Sequence, residues 1–222
     1  MASAVEIEDV EDVSRWPEMD DLLPHLLAAN QGRSGRGIPP LFVANTLQTV
    51  GSYLVARGRL REGEDVIEEC IRIAGRRGQG QWAEIRVAAL SRQGDLRCAL
   101  GRIDAGEVSY AKALKLARAR FGETSPQYGS VLNARGLSRF EAGRYDDAAA
   151  DHQQSLDAYL QSETQRPELV DTAQHNLGRA LGRLGQLDEA EGMIETSLAR
   201  EKGRGHPLSM NAVLGVKSRQ RP

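Results

Sequence analysis

The stretch EAGRYDDAAADHQQSL, residues 141–156, is followed 42 residues later by RLGQLDEAEGMIETSL, residues 183–198. Glycine, a large apolar residue, alanine and leucine occupy the same places in both stretches. Two earlier copies of this pattern bring the number of such glycines to four, and we call them the anchor glycines: Gly58, Gly101, Gly143 and Gly185. They are spaced 43, 42 and 42 residues apart. A fixed period of this length indicates an array of structural repeats.

Four further columns, meaning sets of equivalent positions in the copies, repeat with the anchor glycine. They are a glycine seven residues before it, a large apolar residue two after it, a small residue five after it and an aliphatic residue thirteen after it. In chain order their members are Gly51, Gly94, Gly136 and Gly178; Leu60, Ile103, Tyr145 and Leu187; Gly63, Gly106, Ala148 and Ala190; and Ile71, Leu114, Leu156 and Leu198.

Each column has a mechanical reason in a unit of helix, tight turn and helix. The anchor glycine suits the end of a helix, where the chain turns through a left-handed conformation. Aspartates three residues later are expected to cap the second helix, and two of them form capping boxes, Asp104 with Glu107 and Asp188 with Glu191; Asp146 is the third aspartate. The small residues allow the two helices to approach closely, and the aliphatic column thirteen after the anchor is expected to fill the seam between them.

The composition is that of a folded helical protein. Of 222 residues, 40% are hydrophobic, 27% are charged and 5% are aromatic. Alanine, leucine, arginine, glutamate and glycine dominate, and valine and isoleucine are few, which favours helices over strands. The net charge of -2 argues against a broad nucleic-acid surface. Cys70 and Cys98 are expected to be thiols on helices, and residues 1–11 lack the features of a signal peptide. No apolar run is long enough to span a bilayer, so we expect a cytoplasmic protein.

The four units resemble the tetratricopeptide repeat (TPR). They read VGSYLVARGRLREGEDVIEECI, QGDLRCALGRIDAGEVSYAKAL, RGLSRFEAGRYDDAAADHQQSL and LGRALGRLGQLDEAEGMIETSL. A period near 42, instead of about 34, resembles the long repeats of kinesin light chains, and FGETSP and GRGHP resemble their inter-repeat turns. The resemblance covers about residues 41–207. It implies an all-α fold, a right-handed α-α superhelix (TPR solenoid) of about four repeats with a leading helix and a partial trailing helix.

This resemblance gives the predicted domain organisation. Residues 1–15 are an acidic flexible N-terminus, and residues 16–38 are a leading helix and linker. The TPR array covers 39–207, with repeats at about 41–76, 81–121, 127–163 and 168–202, and 208–222 form a partial capping helix and basic tail. Residues 16–30, WPEMDDLLPHLLAAN, resemble the segment that opens the repeat region of actinobacterial signalling ATPases with an NB-ARC-type (STAND) nucleotide domain.

The sequence nominates no catalytic chemistry. It contains no GxxxxGK[ST] phosphate loop, no HExxH or paired metal spacing and no GxSxG elbow. His152 shares a column with Ile67, Tyr110 and Ile194, so it is expected to pack in the interior. We therefore expect a protein that is not an enzyme, with no catalytic residue, no metal and no cofactor.

In TPR solenoids the first helix of each repeat lines the concave groove where a partner binds. The candidate groove residues are Gln48, Ser52, Ser91, Asp95, Asn133, Leu137, Phe140, His175, Asn176, Arg179 and Arg183. One column is polar in all four copies, at Gln48, Ser91, Asn133 and His175, and such a ladder suits the backbone of an extended peptide. The resemblance implies asparagine at this rung, which Asn133 matches, and Asn176 matches the next position.

These features predict a non-catalytic scaffold or sensor that binds protein or peptide in bacterial signalling or regulation. Asp95 near one end of the groove and Arg179 with Arg183 near the other predict that an acidic or C-terminal carboxylate group prefers the arginine end. The lysine, asparagine and arginine set of chaperone-binding relatives is not present. The alternatives are a self-association module acting through the terminal repeats, a peptide-pheromone-type sensor and, least favoured, an RNA-binding helical repeat.

Overall fold

The computed structural model of the chain describes residue 24 and residues 40–76, 80–164 and 166–203, the last seven by backbone alone. Helices dominate this part of the chain, and no β-strand occurs in it. The helices are α1 (Pro40–Ala56), α2 (Leu60–Gly75), α3 (Gln81–Ala99), α4 (Ile103–Phe121), α5 (Pro126–Glu141), α6 (Tyr145–Leu160), α7 (Pro167–Leu184) and α8 (Leu187–Gly203). The prediction of an all-α fold is confirmed. The predicted acidic N-terminus, leading helix, linker and capping tail lie outside the described residues, apart from residue 24.

The chain forms two compact units, with the boundary between Arg120 and Phe121. The first unit holds α1 to α4, where α1 packs on α2 and α2 packs on α3. The second unit holds α5 to α8, where each helix packs on the next. In each unit the first helices of the two repeats also touch, α1 with α3 and α5 with α7.

The turn inside each repeat is built on the anchor glycine. Gly58, Gly101, Gly143 and Gly185 all have positive φ, between 74° and 83°, as predicted. The backbone of the residue after the glycine forms hydrogen bonds with both helices. The N–H of Arg144 donates to the carbonyl of Arg139 (2.9 Å), and the carbonyl of Arg144 accepts from the N–H of Ala148 (3.0 Å). One residue therefore ends α5 and begins α6.

The predicted aspartate caps are wrong. Asp104, Asp146 and Asp188 are each the second residue of their helix, since α4, α6 and α8 begin at the residue before. At α6 the cap position belongs to Arg144, whose side chain makes no capping hydrogen bond. The capping boxes to Glu107 and Glu191 are wrong for the same reason. The aspartates lie in the first helical turn, where a negative charge interacts favourably with the unpaired N–H groups.

The glycine seven residues before the anchor opens a gap in the first helix, and a side chain of the second helix fills it. A Cβ at Gly136 would lie 2.7 Å from Cε1 of His152, and one at Gly94 would lie 2.7 Å from Cε1 of Tyr110. Ile67 and Ile194 fill the gaps at Gly51 and Gly178 in the same way. We call this contact between the two helices of a repeat the glycine gap.

The column that fills the seam therefore stands nine residues after the anchor, which corrects the prediction that it stands thirteen after. Ile71 and Leu114 of the predicted column are only half-buried, whereas Leu156 is buried. The side chain of Leu198 lies outside the described residues. The physical reason is that the column thirteen after the anchor lies one helical turn beyond the glycine, where the first helix has no gap to fill.

Three interior columns are polar in the two central repeats and apolar in the two outer repeats. The columns eight and four residues before the anchor and eight after it show this division. Their members are Val50, Leu54 and Val66 in the first repeat; Gln93, Arg97 and Ser109 in the second; Arg135, Arg139 and Asp151 in the third; and Leu177, Leu181 and Met193 in the fourth.

In the third repeat this interior is a buried ion triad. Asp151 on α6 is 1% exposed, and both of its carboxylate oxygens accept from α5. Arg135 donates from Nε at 2.9 Å and from Nη2 at 2.6 Å, and Arg139 donates from Nη1 at 2.9 Å. The charges and hydrogen bonds are thus satisfied within one helix pair, as a buried carboxylate requires.

In the second repeat the interior is a hydrogen-bonded network that reaches the repeat before it. Arg97 on α3 donates from Nη1 to Oγ of Ser109 on α4 (2.9 Å) and from Nε to Oε1 of Glu64 on α2 (2.9 Å). Burial raises the pKa of Glu64, but hydrogen bonds and charge from Arg102 and Arg97 outweigh it and lower the pKa overall. Arg97 therefore ties three successive helices together.

The glycine gap predicts that Gly136→Ala destabilises the protein although alanine is the better helix former. The new Cβ would overlap the buried imidazole of His152, and such overpacking costs about 1–3 kcal/mol, against a gain of about 1 kcal/mol in helix propensity. The matched control is Gly192→Ala on α8, where a Cβ meets nothing within 4 Å. Urea unfolding should show Gly136→Ala less stable and Gly192→Ala at least as stable as the wild type. Equal gains in both variants would contradict the glycine gap.

The ion triad predicts different outcomes for removing one of its charges and for replacing all three residues by apolar ones. Asp151→Asn leaves two partly buried guanidinium groups without their counter-charge, and we expect a loss of about 3 kcal/mol in the free energy of unfolding. Replacing the triad by the fourth-repeat residues, as Arg135→Leu, Arg139→Leu and Asp151→Met together, should leave stability near that of the wild type. A triple variant less stable than Asp151→Asn in chemical denaturation would show that the triad itself contributes stability.

Candidate functional site

The first helices of the second unit, α5 and α7, bring together six of the predicted groove residues. We call this surface the α5–α7 face; it comprises Asn133, Leu137, Phe140, Asn176, Arg179 and Arg183. Two features of it have a defined geometry. One is a hydrogen-bonded pair of asparagines, and the other is a cluster of arginines stacked on aromatic rings.

The asparagine pair is centred on Oδ1 of Asn133. This oxygen accepts from Nδ2 of Asn176, one repeat later, at 3.0 Å. It also lies 3.0 Å from Nδ1 of His152, which reaches it from α6 through the glycine gap. Because a carboxamide oxygen has no hydrogen to give, Nδ1 of His152 is the donor. Asn176 is buried, whereas Asn133 is half-buried at the face.

His152 is 1% exposed and stays neutral over a wide pH range. Burial, and to a smaller extent the charge of the nearby Arg179, lowers the pKa of its imidazole to about 4. Its Nε2 atom is buried and has no hydrogen-bond partner among the described residues. The prediction that His152 packs in the interior is confirmed, and the structure adds that it supports a residue of the face.

The arginine cluster lies at the C-terminal end of α7. The guanidinium carbon of Arg179 is 4.6 Å from the centroid of the Phe140 ring, and that of Arg183 is 4.4 Å from the centroid of the Tyr145 ring. Arg183 also donates to the hydroxyl of Tyr145. The two rings meet edge to face, with centroids 5.3 Å apart. Cation–π contacts therefore hold both guanidinium groups in place.

Neither Arg179 nor Arg183 forms an ion pair with a carboxylate in the part of the chain that the structure describes. The other arginines of α5 and of the turn after it behave differently. Arg135 and Arg139 pair with Asp151, and Arg144 pairs with Asp147. The cluster thus carries two positive charges whose guanidinium groups form no ion pair with a carboxylate of the described residues.

The remaining predicted groove residues are placed differently. Gln48 on α1 donates from Nε2 to the carbonyl of Ile85 on α3 (3.2 Å), so this rung holds two helices together. Asp95 on α3 accepts from the hydroxyl of Tyr110 at 2.5 Å and lies 3.9 Å from Arg92. Ser52 on α1, Ser91 on α3 and His175 on α7 are half-buried. The residues on α1 and α3 belong to the first unit, which is described separately from the α5–α7 face.

Two residues of the site are missing from the predicted set, His152 and Tyr145. The column position of His152 indicates only a packing residue, although it carries the one imidazole in a column that otherwise holds isoleucine and tyrosine. Tyr145 stands in the large apolar column with Leu60, Ile103 and Leu187, where it is the aromatic member. In both cases an unusual residue type within a regular column was the available signal.

The described residues contain no group of histidine, cysteine and carboxylate side chains arranged to hold a metal ion. Among them there is also no helix with the length and apolar character needed to cross a membrane. Cys70 is buried and Cys98 is partly buried, both as free thiols. Burial raises the pKa of the Cys70 thiol to about 12.

Family models of the tetratricopeptide repeat match residues 85–161 and residues 172–202. No curated protein matches the chain in sequence. Among solved structures, BtubC (BKLC) from P. vanneervenii is similar, with 18% identity, a TM-score of 0.68 and coverage of 91% of this chain and 80% of that chain.

A putative kinesin light chain of Podosopora anserina with nearly identical TPR-like repeats is similar in two structures. A form of it with one substituted residue has 18% identity and a TM-score of 0.64, and the match covers 90% of this chain and 93% of that chain. The other structure has 15% identity and a TM-score of 0.62, and the match covers 89% of this chain and 92% of that chain. Residues 85–161 and 172–202 therefore carry tetratricopeptide repeats, and the fold of the chain is similar to that of a putative kinesin light chain with TPR-like repeats. Repeats of this kind are in general scaffolds for protein interaction.

The buried imidazole predicts a specific acid sensitivity. In the unfolded chain His152 has the ordinary histidine pKa of about 6.5, so the unfolded state takes up a proton before the folded state does. Stability is therefore lost as the pH falls from about 6.5 towards 4, by about 2–3 kcal/mol in total. His152→Ile, which carries the residue of the first and fourth repeats, removes this term.

Urea unfolding of the wild type and of His152→Ile at pH 7, 5.5 and 4.5 measures the effect. Carboxylates titrate in both proteins, so only the difference between the two curves reports on His152. The wild type should lose about 2 kcal/mol relative to the variant between the first and the last pH. Parallel pH profiles would show that His152 titrates normally in the folded protein.

Proposed function

We propose that this chain is a non-catalytic scaffold that binds an acidic segment of a protein or peptide partner on the α5–α7 face. The observation that carries the proposal is the arginine cluster, where Arg179 is stacked on Phe140 and Arg183 on Tyr145. Neither arginine forms an ion pair with a carboxylate of the described residues. Scaffolding rather than catalysis is what repeats of this family generally do.

The cluster suits carboxylates for three physical reasons. Arginine presents a planar fork of N–H donors that matches a carboxylate, and its charge persists at every physiological pH. Stacking on the rings fixes the guanidinium planes before binding, which lowers the entropy lost when a partner is ordered. Arg179 and Arg183 are one helical turn apart on α7, so both reach the same segment of an extended partner.

We place this scaffold in bacterial signalling or regulation, either on its own or as part of a larger nucleotide-switch protein. The support is the resemblance of residues 16–30 to the segment that opens the repeat region of actinobacterial signalling ATPases. Apart from residue 24, that segment lies outside the described residues. We also place the protein in the cytoplasm, since two free thiols on helices suit a reducing compartment.

Charge reversal of the cluster tests the proposal. The probe is a fluorescein-labelled extended peptide of alternating glutamate and serine, with an alternating glutamine and serine peptide as the neutral comparison. The wild type should bind the acidic peptide more tightly. Arg179→Glu with Arg183→Glu should weaken that binding about 10-fold to 100-fold, measured by fluorescence polarisation at fixed salt.

The matched control is Lys112→Glu with Lys115→Glu, which changes the net charge equally on exposed positions of α4. It should retain most of the affinity for the acidic peptide. Equal weakening by both double variants would mean that only net charge matters. Equal affinity of the wild type and the arginine variant would place the binding surface elsewhere.

A further inference from the structure

We propose that His152 is a positioning residue, which orients the Asn133 side-chain amide so that its Nδ2 donors are kept for an acceptor oxygen of the partner. The main-chain carbonyl of an extended segment supplies such an oxygen. The part of the inference that concerns the partner rests on the proposed function. The part that concerns the orientation of Asn133 stands on the internal hydrogen bonds alone.

The orientation follows from the hydrogen bonds of one oxygen. Oδ1 of Asn133 has two acceptor sites, and it faces two donors, Nδ2 of Asn176 and Nδ1 of His152, each at 3.0 Å. With Asn176 oriented as it is, turning the amide over would set the NH₂ group of Asn133 against the NH₂ group of Asn176. The pair of donors therefore holds Oδ1 inward, and Nδ2 is the polar atom of Asn133 left for a ligand.

His152 acts as a donor to Oδ1 of Asn133 because its tautomer is restricted. Nδ1 carries the proton, since the oxygen it faces only accepts. Nε2 is then an unprotonated nitrogen in a buried site without a hydrogen-bond partner among the described residues. Protonating Nε2 would bury a positive charge, which explains why the imidazole stays neutral well below its ordinary pKa.

The glycine gap is what allows His152 to reach Asn133. His152 stands on the second helix of the repeat, yet its ring passes Gly136 at distances of 2.7–3.0 Å from where a Cβ would be. The second repeat uses the same route in the first unit, where Tyr110 passes Gly94 and donates to Asp95. The outer repeats carry Ile67 and Ile194 in this column, which have no donor.

The consequence is a division of labour on the face. In each central repeat a side chain of the second helix hydrogen-bonds to a polar residue of the first helix, Tyr110 to Asp95 and His152 to Asn133. In the third repeat this bond leaves Nδ2 of Asn133 as a donor for a ligand. An acceptor oxygen on Asn133 and a carboxylate on the arginine cluster are compatible with one extended acidic segment. Asn133 then donates to a main-chain carbonyl of the partner, whereas Arg179 and Arg183 bind carboxylates of its side chains or of its C-terminus.

The first test needs no partner. In full-length protein with ¹⁵N-labelled histidine at pH 7, the ring nitrogens of His152, assigned by their loss in His152→Ile, should show protonated Nδ1 and unprotonated Nε2. Asn133→Asp retains an acceptor oxygen and should keep this tautomer. Asn133→Leu removes the acceptor and should release it. The opposite tautomer in the wild type, or no change in Asn133→Leu, would overturn the inference.

The second test asks whether His152 acts through Asn133, with the labelled acidic peptide as the probe. His152→Ile and Asn133→Leu should each weaken binding about 3-fold to 10-fold, and the double variant should bind no more weakly than either alone. His152→Gln retains a donor and should bind nearly as well as the wild type. Additive losses would show that His152 acts on packing alone, and a gain of affinity in His152→Ile would contradict the positioning role.

The two tests separate the failure of this inference from that of the proposed function. If the acidic peptide does not bind the wild type, the proposed function fails, and the histidine tautomer still decides the orientation of Asn133. If the peptide binds through the arginine cluster and the tautomer is the opposite one, the proposed function stands and the positioning role is wrong.

Discussion

The glycine gap is the contact on which the rest of the structure depends. In every repeat a glycine of the first helix faces a large side chain of the second, so the two helices approach more closely than any larger residue allows. Glycine in a helix is unfavourable by about 1 kcal/mol relative to alanine. Burial of the side chain that enters the gap offsets this loss of helix propensity.

What enters the gap differs between the outer and the central repeats, and this difference links packing to function. Isoleucine fills the gaps of the outer repeats and has no group that could hydrogen-bond to a residue of the first helix. Tyrosine and histidine fill the central gaps and continue through them to Asp95 and Asn133. The central repeats are also those with polar residues in three interior columns, which Arg97 and the Asp151 triad hold together. Apolar outer repeats supply burial, whereas the central repeats keep polar groups in fixed positions.

The sequence predicted what depends on local periodicity and missed what depends on contact between helices. The positive φ of the anchor glycines and the burial of His152 follow from column position, and both are confirmed. The aspartate caps are wrong by two positions, because the backbone of Arg144 and its equivalents already serves as the cap. Phe140, Arg179 and Arg183 were named one by one, yet their stacking with Tyr145 requires the packing of α5, α6 and α7, which no column encodes.

A buried histidine is a poor choice for stability and a good one for orientation. Isoleucine at position 152 would fill the same gap with no ionisable group and no unpaired nitrogen, as it does in the first and fourth repeats. An apolar residue cannot hold an amide in one orientation, because it offers no hydrogen-bond donor. The third repeat therefore gives up acid stability at the one position from which Nδ1–H reaches Asn133. Recognition on the face of Asn133 gives this loss of acid stability a physical reason, and it ties the interior of the repeat to its surface.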